Sequence, residues 1–403
     1  MNMENLQQSG RLAICVEVIR DLEGFARLEA DWNILFERAY NAAPPLHYDW
    51  VATWLEIYGP IYVAAEEGLR IICCRRQGEL VAIMPLYLRR QQHVSDGGVC
   101  LSFASTGESV ADEICPDYMD MLCLAEVEDA CAELVWITII QQMGGSYDRL
   151  EFSDMANHSP LVNWARGNGA LHDLEISPRG VCCISDLTGG MDAYFSRLSH
   201  KMRAQCRRVL RAADDAGVKF SVAGTMQESK QYFDELVTIH QRRWTSAGEA
   251  GCFSSALFSD FHRKLSEKWV PEKKAVLSRI RLGDETLAVK YGFCLKGKFD
   301  FYQSGVCVEE SATLKSPGTA SILMLMRHLV DEGITSFDFL RGAAGYKQRL
   351  ATTATPLVQV RRILWTWRTS FGFAASIGSR AVRKAGRVAM RKRVTTRPRA
   401  EEE

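Results

Sequence analysis

The chain has 403 residues, of which 47% are hydrophobic and 24% charged, a balance that is typical of globular proteins and excludes a low-complexity or fibrous one. The length favours two domains, and no apolar run reaches the roughly 18 residues that a membrane-spanning helix requires. The net charge of zero conceals a split, because residues 366–403 hold ten basic and three acidic residues while the body is acidic. Such a charge block indicates an interaction surface or disorder rather than catalysis.

The start of the chain and its cysteines indicate the compartment. The first residues, MNMENLQQSGR, show no signal-peptide pattern. Thirteen cysteines are scattered without a Cys-x-x-Cys pair or a Cys/His cluster at zinc spacing. We therefore expect free thiols in a reducing cytosol, a cytoplasmic protein and no metal.

The first half begins with two predicted strands within residues 69–90, which are joined at Gly78. A predicted helix over 126–143 and a strand over 147–155 follow. Two strands, a helix and a further strand make a compact αβ unit.

The second half repeats this order of elements. Three strands are predicted within 275–308, then a helix over 318–332 that Gly333 ends, then a strand over 335–340. Because the halves do not repeat at the residue level, duplication is inferred from element order alone.

The regions that connect and follow these units are helical and basic. One predicted helix, 191–217, has an apolar face, and a second covers 227–244. The apolar face of the first helix consists of Tyr194, Leu198, Met202, Val209 and Ala213. Its other face is basic, so it is either solvated or lines a groove that receives an anionic donor or acceptor. This basic face carries Arg197, His200, Lys201, Arg203, Arg207, Arg208 and Arg211.

A turn of small residues precedes the 318–332 helix and comprises Lys315, Ser316, Pro317, Gly318, Thr319 and Ala320. A helix start leaves backbone N–H groups unpaired and carries partial positive charge, so it can receive phosphate oxygens if small residues allow close approach. Gly318 removes an obstructing side chain, Ala320 keeps the first turn slim, and Lys315 adds positive charge. An ordinary capped helix is the alternative, and the turn is not a Walker loop because no Gly-Lys-Ser/Thr follows.

The pattern Lys315-x-x-Gly318-x-Ala320 between a strand and a helix resembles the acyl-CoA pyrophosphate loop of the GNAT acetyltransferases, with Lys315 as a conservative departure at the first position. A longer combination in this chain resembles the BioF2-like branch of that superfamily, which is associated with polysaccharide and cellulose biosynthesis and shares its architecture with FemAB peptidyl transferases. The combination consists of HQRRW (240–244), FYQSG (301–305), SPG (316–318) and FDFLRGAAGYKQR (337–349).

This resemblance covers roughly residues 30–365 and implies an α/β (α+β) fold of two tandem GNAT-like domains, each a mixed, mostly antiparallel sheet flanked by helices. We expect an N-terminal GNAT-like domain over 1–180, an acyltransferase domain over 181–365, and a basic tail over 366–403. The first domain has no comparable loop, since SFASTGESVADEICPDY (102–118) lacks a Gly-x-Ala helix mouth.

The resemblance also implies where acyl-CoA binds and how it reacts. The donor would lie in a V-shaped opening between strands 299–306 and 335–340. A backbone N–H from Gln303, Ser304, Gly305 or Val306 would polarise the thioester carbonyl. Tyr346 would protonate the departing thiolate, unless it packs against the sheet.

Asp338 lies in a strand between Phe337 and Phe339, and alternation directs it to the opposite side of the sheet. It is either a catalytic carboxylate in the cleft or part of a structural ion pair with Arg341 or Lys347. Further predicted substrate-binding residues are Lys201, Arg203, Arg207, His240, Arg243, Trp244, Arg341 and Lys347. His240 is alternatively a core histidine, and Glu309 and Glu310 are further candidate acids or bases.

The basic tail has two interpretations. Small apolar residues could form the weak apolar face of a helix that lies on anionic lipid through residues 366–399. Alternatively, the tail is disordered. The first interpretation adds a peripheral location at the inner membrane face.

We therefore expect an acyltransferase that uses acetyl-CoA to modify an amine or hydroxyl of a small molecule or glycan precursor, without a DNA partner. The rival enzyme is a FemAB-type transferase that uses aminoacyl-tRNA, which the basic helix fits. A third interpretation is a non-catalytic component of a polysaccharide-synthesising assembly.

Overall fold

The computed structural model describes residues 13–64, 68–89, 98–167, 173–307, 314–342 and 344–364. The predicted tail over 366–403, the first residues of the chain, and Glu309 and Glu310 lie outside these ranges.

Thirteen strands occur in the described ranges, and the predicted strands are among them. They are β1 (Ile14–Ile19), β2 (Leu69–Arg76), β3 (Glu79–Arg89), β4 (Cys100–Phe103), β5 (Leu122–Cys123), β6 (Arg149–Ala156), β7 (Leu174–Asp186), β8 (Lys219–Val222), β9 (Ala275–Leu282), β10 (Glu285–Leu295), β11 (Lys298–Val306), β12 (Ser336–Arg341) and β13 (Thr353–Ile363).

Twelve α-helices occur in the same ranges. They are α1 (Leu22–Arg27), α2 (Glu29–Arg38), α3 (Tyr48–Ile57), α4 (Gly59–Tyr62), α5 (Glu128–Ile137), α6 (Pro160–Gly167), α7 (Gly190–Arg197), α8 (His200–Asp215), α9 (Met226–Ser246), α10 (Ala256–Trp269), α11 (Pro317–Asp331) and α12 (Gly345–Leu350).

The same αβ unit occurs twice in the fold, as the element order predicts. In the first half, β2, β3 and β4 form an antiparallel meander, α5 follows, and β6 returns parallel to β4. In the second half, β9, β10 and β11 form the meander, α11 follows, and β12 returns parallel to β11. The predicted α/β fold, with one αβ unit of this kind in each half, is therefore confirmed.

The two units share one sheet. Its order is β1-β2-β3-β4-β6-β13-β7-β12-β11-β10-β9-β8, with β5 paired to β3. Strand β13 joins the halves, because it is antiparallel to β6 on one side and to β7 on the other. The domain boundary predicted between residues 180 and 181 falls inside β7.

The predicted helix over 191–217 is two helices. α7 ends at Arg197, and α8 begins at His200 after an extended residue, Leu198. The side chain of Ser199 accepts a hydrogen bond from the Met202 N–H and thereby caps α8. A serine that satisfies free helix amides favours a new helix start, and periodicity alone does not show this. The five predicted apolar residues are buried.

Two hydrophobic clusters cover the sheet of the second half. One includes Tyr291 and Phe293 of β10 together with α9 and α10, and it is continuous with the core of the first half. The other contains α7, α8 and α11 and includes Phe299 and Phe301 of β11. Within the described ranges, no helix combines the length and the apolar character needed to cross a bilayer.

Candidate active site

Strands β11 and β12 diverge and leave an opening between them. Their parallel pairing has three steps, the last of which joins Asp300 to Asp338. β11 then continues to Val306 and β12 to Arg341, and no further pair joins these two described strands. The first half has the same three-step pairing, between β4 and β6. The opening in the second half lies between the segments that the resemblance implied.

A β-bulge shapes the first side of this opening. Tyr291 of β10 pairs with Gln303, whereas the next residue, Gly292, pairs with Phe301. Tyr302 is therefore the extra residue of β11. A bulge bends a strand and increases its twist, which favours separation of β11 from β12. Beyond the bulge Gly305 is buried and the other three predicted donor-contacting residues are partly exposed.

The mouth of α11 lies at the end of this opening, because Val306 lies 3.6 Å from the position that a Cβ on Gly318 would occupy. Lys315 and Ser316 are exposed and Ala320 is buried. Ser316 adopts a left-handed conformation, with φ 98°. Helix α11 thus begins with a tight turn whose small residues approach β11.

Fewer backbone N–H groups are unpaired at this mouth than the sequence predicts. The N–H groups of Thr319 and Ala320 both donate to the carbonyl of Ser316, at 3.1 and 3.0 Å. Pro317 has no N–H. In the first turn of the helix, as far as the chain is described, Gly318 alone keeps an N–H without an acceptor. The first turn is tightened, and a phosphate would meet this amide and the positive end of the helix.

Asp338 is fully buried and has three polar partners. The Tyr118 hydroxyl donates to Oδ2, the Lys298 ammonium lies 3.0 Å from the same oxygen, and the Leu340 N–H donates to Oδ1 at 2.7 Å. The predicted ion pair with Arg341 or Lys347 is therefore replaced by one with Lys298. Arg341 and Lys347 were predicted because they follow Asp338 closely in the sequence. Lys298 instead lies on the adjacent strand β11, and side chains on the same face of adjacent strands contact each other.

Arg341 and Lys347 have other partners. The Arg341 guanidinium lies 2.5 Å from Asp154 and 3.4 Å from Asp117. Lys347 donates to the carbonyls of Phe339 and Arg341, at 2.7 and 2.9 Å, and so closes the end of β12. Burial lowers the pKa of Lys347. Both cations stabilise the strand that carries Asp338.

Tyr346 lies in α12 beside the opening. Its ring meets Phe339 edge to face, with centroids 6.0 Å apart. Burial raises the pKa of its hydroxyl, and the nearby Arg243 guanidinium partly offsets this. Among the described residues none hydrogen-bonds this hydroxyl, so the structure leaves it available to a bound molecule.

Lys290 is a candidate site residue that the sequence analysis missed. It lies on β10 opposite Ser304 and is 2% exposed. Its ammonium donates to the Ser304 hydroxyl at 2.5 Å and lies 5.8 Å from the centre of the Phe301 ring. Burial lowers its pKa to about 7, and Arg243 contributes. A lysine within the apolar strand sequence LAVKYGF is the signal that could have identified it.

The predicted substrate-binding residues on α8 and α9 differ in their exposure and in their partners. Lys201 and Arg207 are exposed, whereas Arg203 donates to the carbonyls of Phe195 and Ser196 and caps α7. We therefore leave Arg203 out of the proposed substrate site.

His240 is buried and packs edge to face on Phe253, with centroids 4.9 Å apart, which fits the core alternative. Burial lowers its pKa. Trp244 is 41% exposed, and Arg243 reaches the surroundings of Lys290 and Tyr346. Of these three α9 residues, Arg243 is thus the one that the structure places near the opening.

Comparisons with known proteins agree with this fold. Residues 200–348 match the protein family described as an acetyltransferase (GNAT) domain. This range includes the opening, the α11 mouth and Tyr346. The match and the fold together support a GNAT acyltransferase domain in the second half of the chain. No curated protein matches the sequence.

Several solved structures share the fold at low sequence identity. FemX is similar over 83% of this chain and 96% of its own, with 11% identity and a TM-score of 0.59. The C-terminal domain (DUF2156) of a putative lysylphosphatidylglycerol synthetase from Agrobacterium fabrum covers 88% and 96%, with 11% identity and a TM-score of 0.52. A conserved protein of unknown function from Bacteroides thetaiotaomicron covers 86% and 100%, with 9% identity and a TM-score of 0.53.

Proposed function

We propose that this protein is an acyl-CoA-dependent acyltransferase that transfers an acetyl group to an amine or hydroxyl of a sugar or cell-envelope polysaccharide precursor. The observation that carries the proposal is the divergence of β11 from β12 beside the tight, small-residue start of α11. An opening of this kind admits an extended donor, while the positive helix end favours its diphosphate.

The residues of the opening supply the remaining chemistry. A backbone N–H of the segment Gln303–Val306 would donate to the thioester oxygen as negative charge develops there. The acceptor nitrogen or oxygen forms a bond to the acyl carbon, and the bond from that carbon to sulfur breaks. Tyr346, whose hydroxyl is unengaged in the described structure, would give its proton to the thiolate, and the proton that the acceptor nitrogen or oxygen loses would restore the tyrosine hydroxyl.

Asp338 is assigned a positioning role rather than that of a base. Its two carboxylate oxygens already bind Tyr118, Lys298 and the Leu340 amide, and its side chain is inaccessible to solvent. It thereby fixes the loop of the first half against the strand that borders the opening. An acceptor could reach it only by displacing one of these partners.

The second candidate is a FemAB-type transferase that takes its acyl group from aminoacyl-tRNA. The observation in its favour is the exposed basic face of α8, where Lys201, Arg207, Arg208 and Arg211 all reach solvent. A row of exposed cations suits a polyanion better than a single cofactor. The fold likeness to FemX is compatible with either donor.

Calorimetric titration with acetyl-CoA tests the donor. Gly318→Ala is the informative variant, because its added Cβ meets Val306 at an ordinary contact distance of 3.6 Å, so that the fold tolerates it while the gap between α11 and β11 narrows. Gly145→Ala is the matched control, since no heavy atom lies within 4 Å of its added Cβ.

We expect acetyl-CoA to bind the wild type and the Gly145 variant, and to bind the Gly318 variant at least tenfold more weakly. Absence of binding to any acyl-CoA, together with tRNA-dependent turnover, would favour the second candidate. Neither activity would favour a non-catalytic role.

A further inference from the structure

A small pocket lies on the side of the sheet opposite α11. Side chains alternate along β11, so Asp300 points away from the face that carries Phe299 and Phe301. Asp300, Tyr302 and Leu340 line this pocket, which has room for about one group of the size of a water molecule or an ammonium and opens to solvent. Because Tyr302 and Leu340 each lie two residues beyond the last pair of β11 and β12, the pocket adjoins the opening.

The first half of the chain supplies the other walls. Asp117 and Tyr118 come from the loop after β4, and Trp50 comes from α3. The pocket therefore brings together a carboxylate from each half, Asp117 and Asp300, among aromatic and proline side chains. Neither carboxylate is a candidate site residue from the sequence.

The nearby cations are shared among a larger number of carboxylates. Lys298 lies 2.9 Å from Asp300 and 3.0 Å from Asp338, so one ammonium serves two acids. Arg341 serves both Asp117 and Asp154. Arg179 also contacts Asp154, at 3.2 Å, but it binds Glu113 as well. Five carboxylates thus share these three cations, and Lys347 is a further cation that interacts with Asp117 and Asp338.

The two pocket carboxylates have few hydrogen-bond donors of their own. Asp117 is 6% exposed, and its Oδ1 accepts no hydrogen bond from the described residues, the Arg341 Nε being 3.4 Å away. Asp300 is 3% exposed, and its Oδ1 lies 2.9 Å from the Lys298 ammonium, which it shares with Asp338. Burial raises the pKa of Asp117 to about 7 and that of Asp300 to about 6. A positively charged ligand would offset this cost of burial.

We propose that this pocket binds an ammonium head group through Asp117 and Asp300, and that it holds the acceptor of the acyl group. The second part rests on the proposed acyltransferase function. A carboxylate oxygen without a hydrogen bond, such as Oδ1 of Asp117, favours a cationic donor of hydrogen bonds over a neutral hydroxyl, and the Tyr118 ring already has a cation over it, the Lys298 ammonium 4.1 Å from its centre. The donor and the acceptor would then approach the opening from opposite faces of the sheet. The acceptor would be an amine, which attacks the acyl carbon after the bound ammonium gives one proton to a carboxylate of the pocket.

The test uses the full chain without any acyl donor, and n-butylammonium as the probe. Binding is measured by saturation-transfer NMR and by calorimetry, with 1-butanol as the neutral probe of similar size. The variants are Asp117→Asn and Asp300→Asn, whose folding is checked by circular dichroism. Asp284→Asn is the matched control, because it removes one negative charge from a fully exposed carboxylate of the second half.

We expect the wild type and the Asp284 variant to bind n-butylammonium and to discriminate against 1-butanol by at least tenfold. Each pocket variant should lose at least tenfold in affinity. Equal binding of the two probes, no binding of the amine to the wild type, or wild-type affinity in either pocket variant would overturn the proposal. The comparison of the two probes needs only the wild type, so it decides the question even if a variant does not fold.

Failure here is distinguishable from failure of the proposed function. Acetyl-CoA binding that depends on Gly318, without amine binding, would retain the acyltransferase and remove the pocket. Amine binding without any acyl-CoA binding would retain the pocket and remove the CoA donor.

Discussion

Replacement of Lys290 by methionine is expected to stabilise the fold at neutral pH. Lys290 is buried, and among the described residues no carboxylate pairs with it; its hydrogen-bond acceptor is the Ser304 hydroxyl. Burial lowers its pKa from 10.5 to about 7. Because the folded pKa lies below the unfolded one, the lysine opposes folding at every pH below about 10.5, and its cost is complete below about pH 7.

The size of this stabilisation follows from the shift in the pKa of Lys290. Each pKa unit corresponds to about 1.36 kcal/mol, so the lysine costs on the order of 4 kcal/mol at pH 7 and about 2 kcal/mol at pH 9. Methionine fills a similar volume and carries no charge, although Ser304 loses a partner, which costs about 1 kcal/mol. The net gain in the free energy of unfolding should be about 3 kcal/mol at pH 7 and should shrink to about 1 kcal/mol at pH 9.

Urea denaturation of both proteins at pH 6, 7, 8 and 9 measures this difference directly. Lys219→Met, at an exposed position of the edge strand β8, is the control and should show little change at any pH. A difference that does not vary with pH would contradict the assignment of a lowered pKa. Destabilisation by several kcal/mol at pH 7 would show that the ammonium is favourably bound in the folded state.

The other predictions concern the neighbouring residues. Gly318→Ala should weaken acetyl-CoA binding at least tenfold in calorimetry and leave the melting temperature unchanged. Tyr346→Phe should lower kcat at least tenfold with little change in KM, and a fall in both by the same factor would speak against a role as acid. Asp338→Asn should lower the free energy of unfolding by about 2–4 kcal/mol, because it leaves Lys298 with one carboxylate fewer, while thioester hydrolysis without acceptor persists. Arg203→Ala should cost about 1–2 kcal/mol through the lost cap of α7, with no effect on donor binding.

The sequence predicts the fold well where periodicity and turn chemistry agree. The three strands β9, β10 and β11 and the helix α11 lie close to their predicted bounds, because each strand is a short apolar run. Gly297 marks the turn between β10 and β11, and Gly333 marks the end of α11. The sharing of one sheet by both units was not predictable in this way. It depends on β13, whose partners lie roughly two hundred residues away in the chain.

The candidate site was predicted less completely than the fold. Local sequence shows Asp338 and the residues that follow it, and so it favoured Arg341 and Lys347 as partners. The actual partner, Lys298, comes from the neighbouring strand, and Tyr118 comes from the other half of the chain. A single sequence without these pairings gives no means of choosing among the 49 basic residues. Lys290 was missed for a related reason, since its unusual feature is its burial rather than its identity.

The loop after β4 explains why the first unit carries no helix mouth like that of α11. The corresponding loop of the second unit leads to the tight turn at Ser316, whereas the loop of the first unit packs across β11 and β12. Its Tyr118 hydroxyl donates to Asp338, its Asp117 carboxylate accepts from the Arg341 N–H at 2.7 Å, and its Ile114 carbonyl accepts from Tyr302.

The bonds to Tyr302 and Arg341 end on the parts of β11 and β12 that lie beyond their last pair. The loop is therefore part of the wall of the opening on the side of the proposed acceptor. One αβ unit would therefore hold the donor while the other, with its own loop committed to this contact, closes the acceptor side. Such a division of roles between two similar units would account for one proposed acyl-transfer site in the chain.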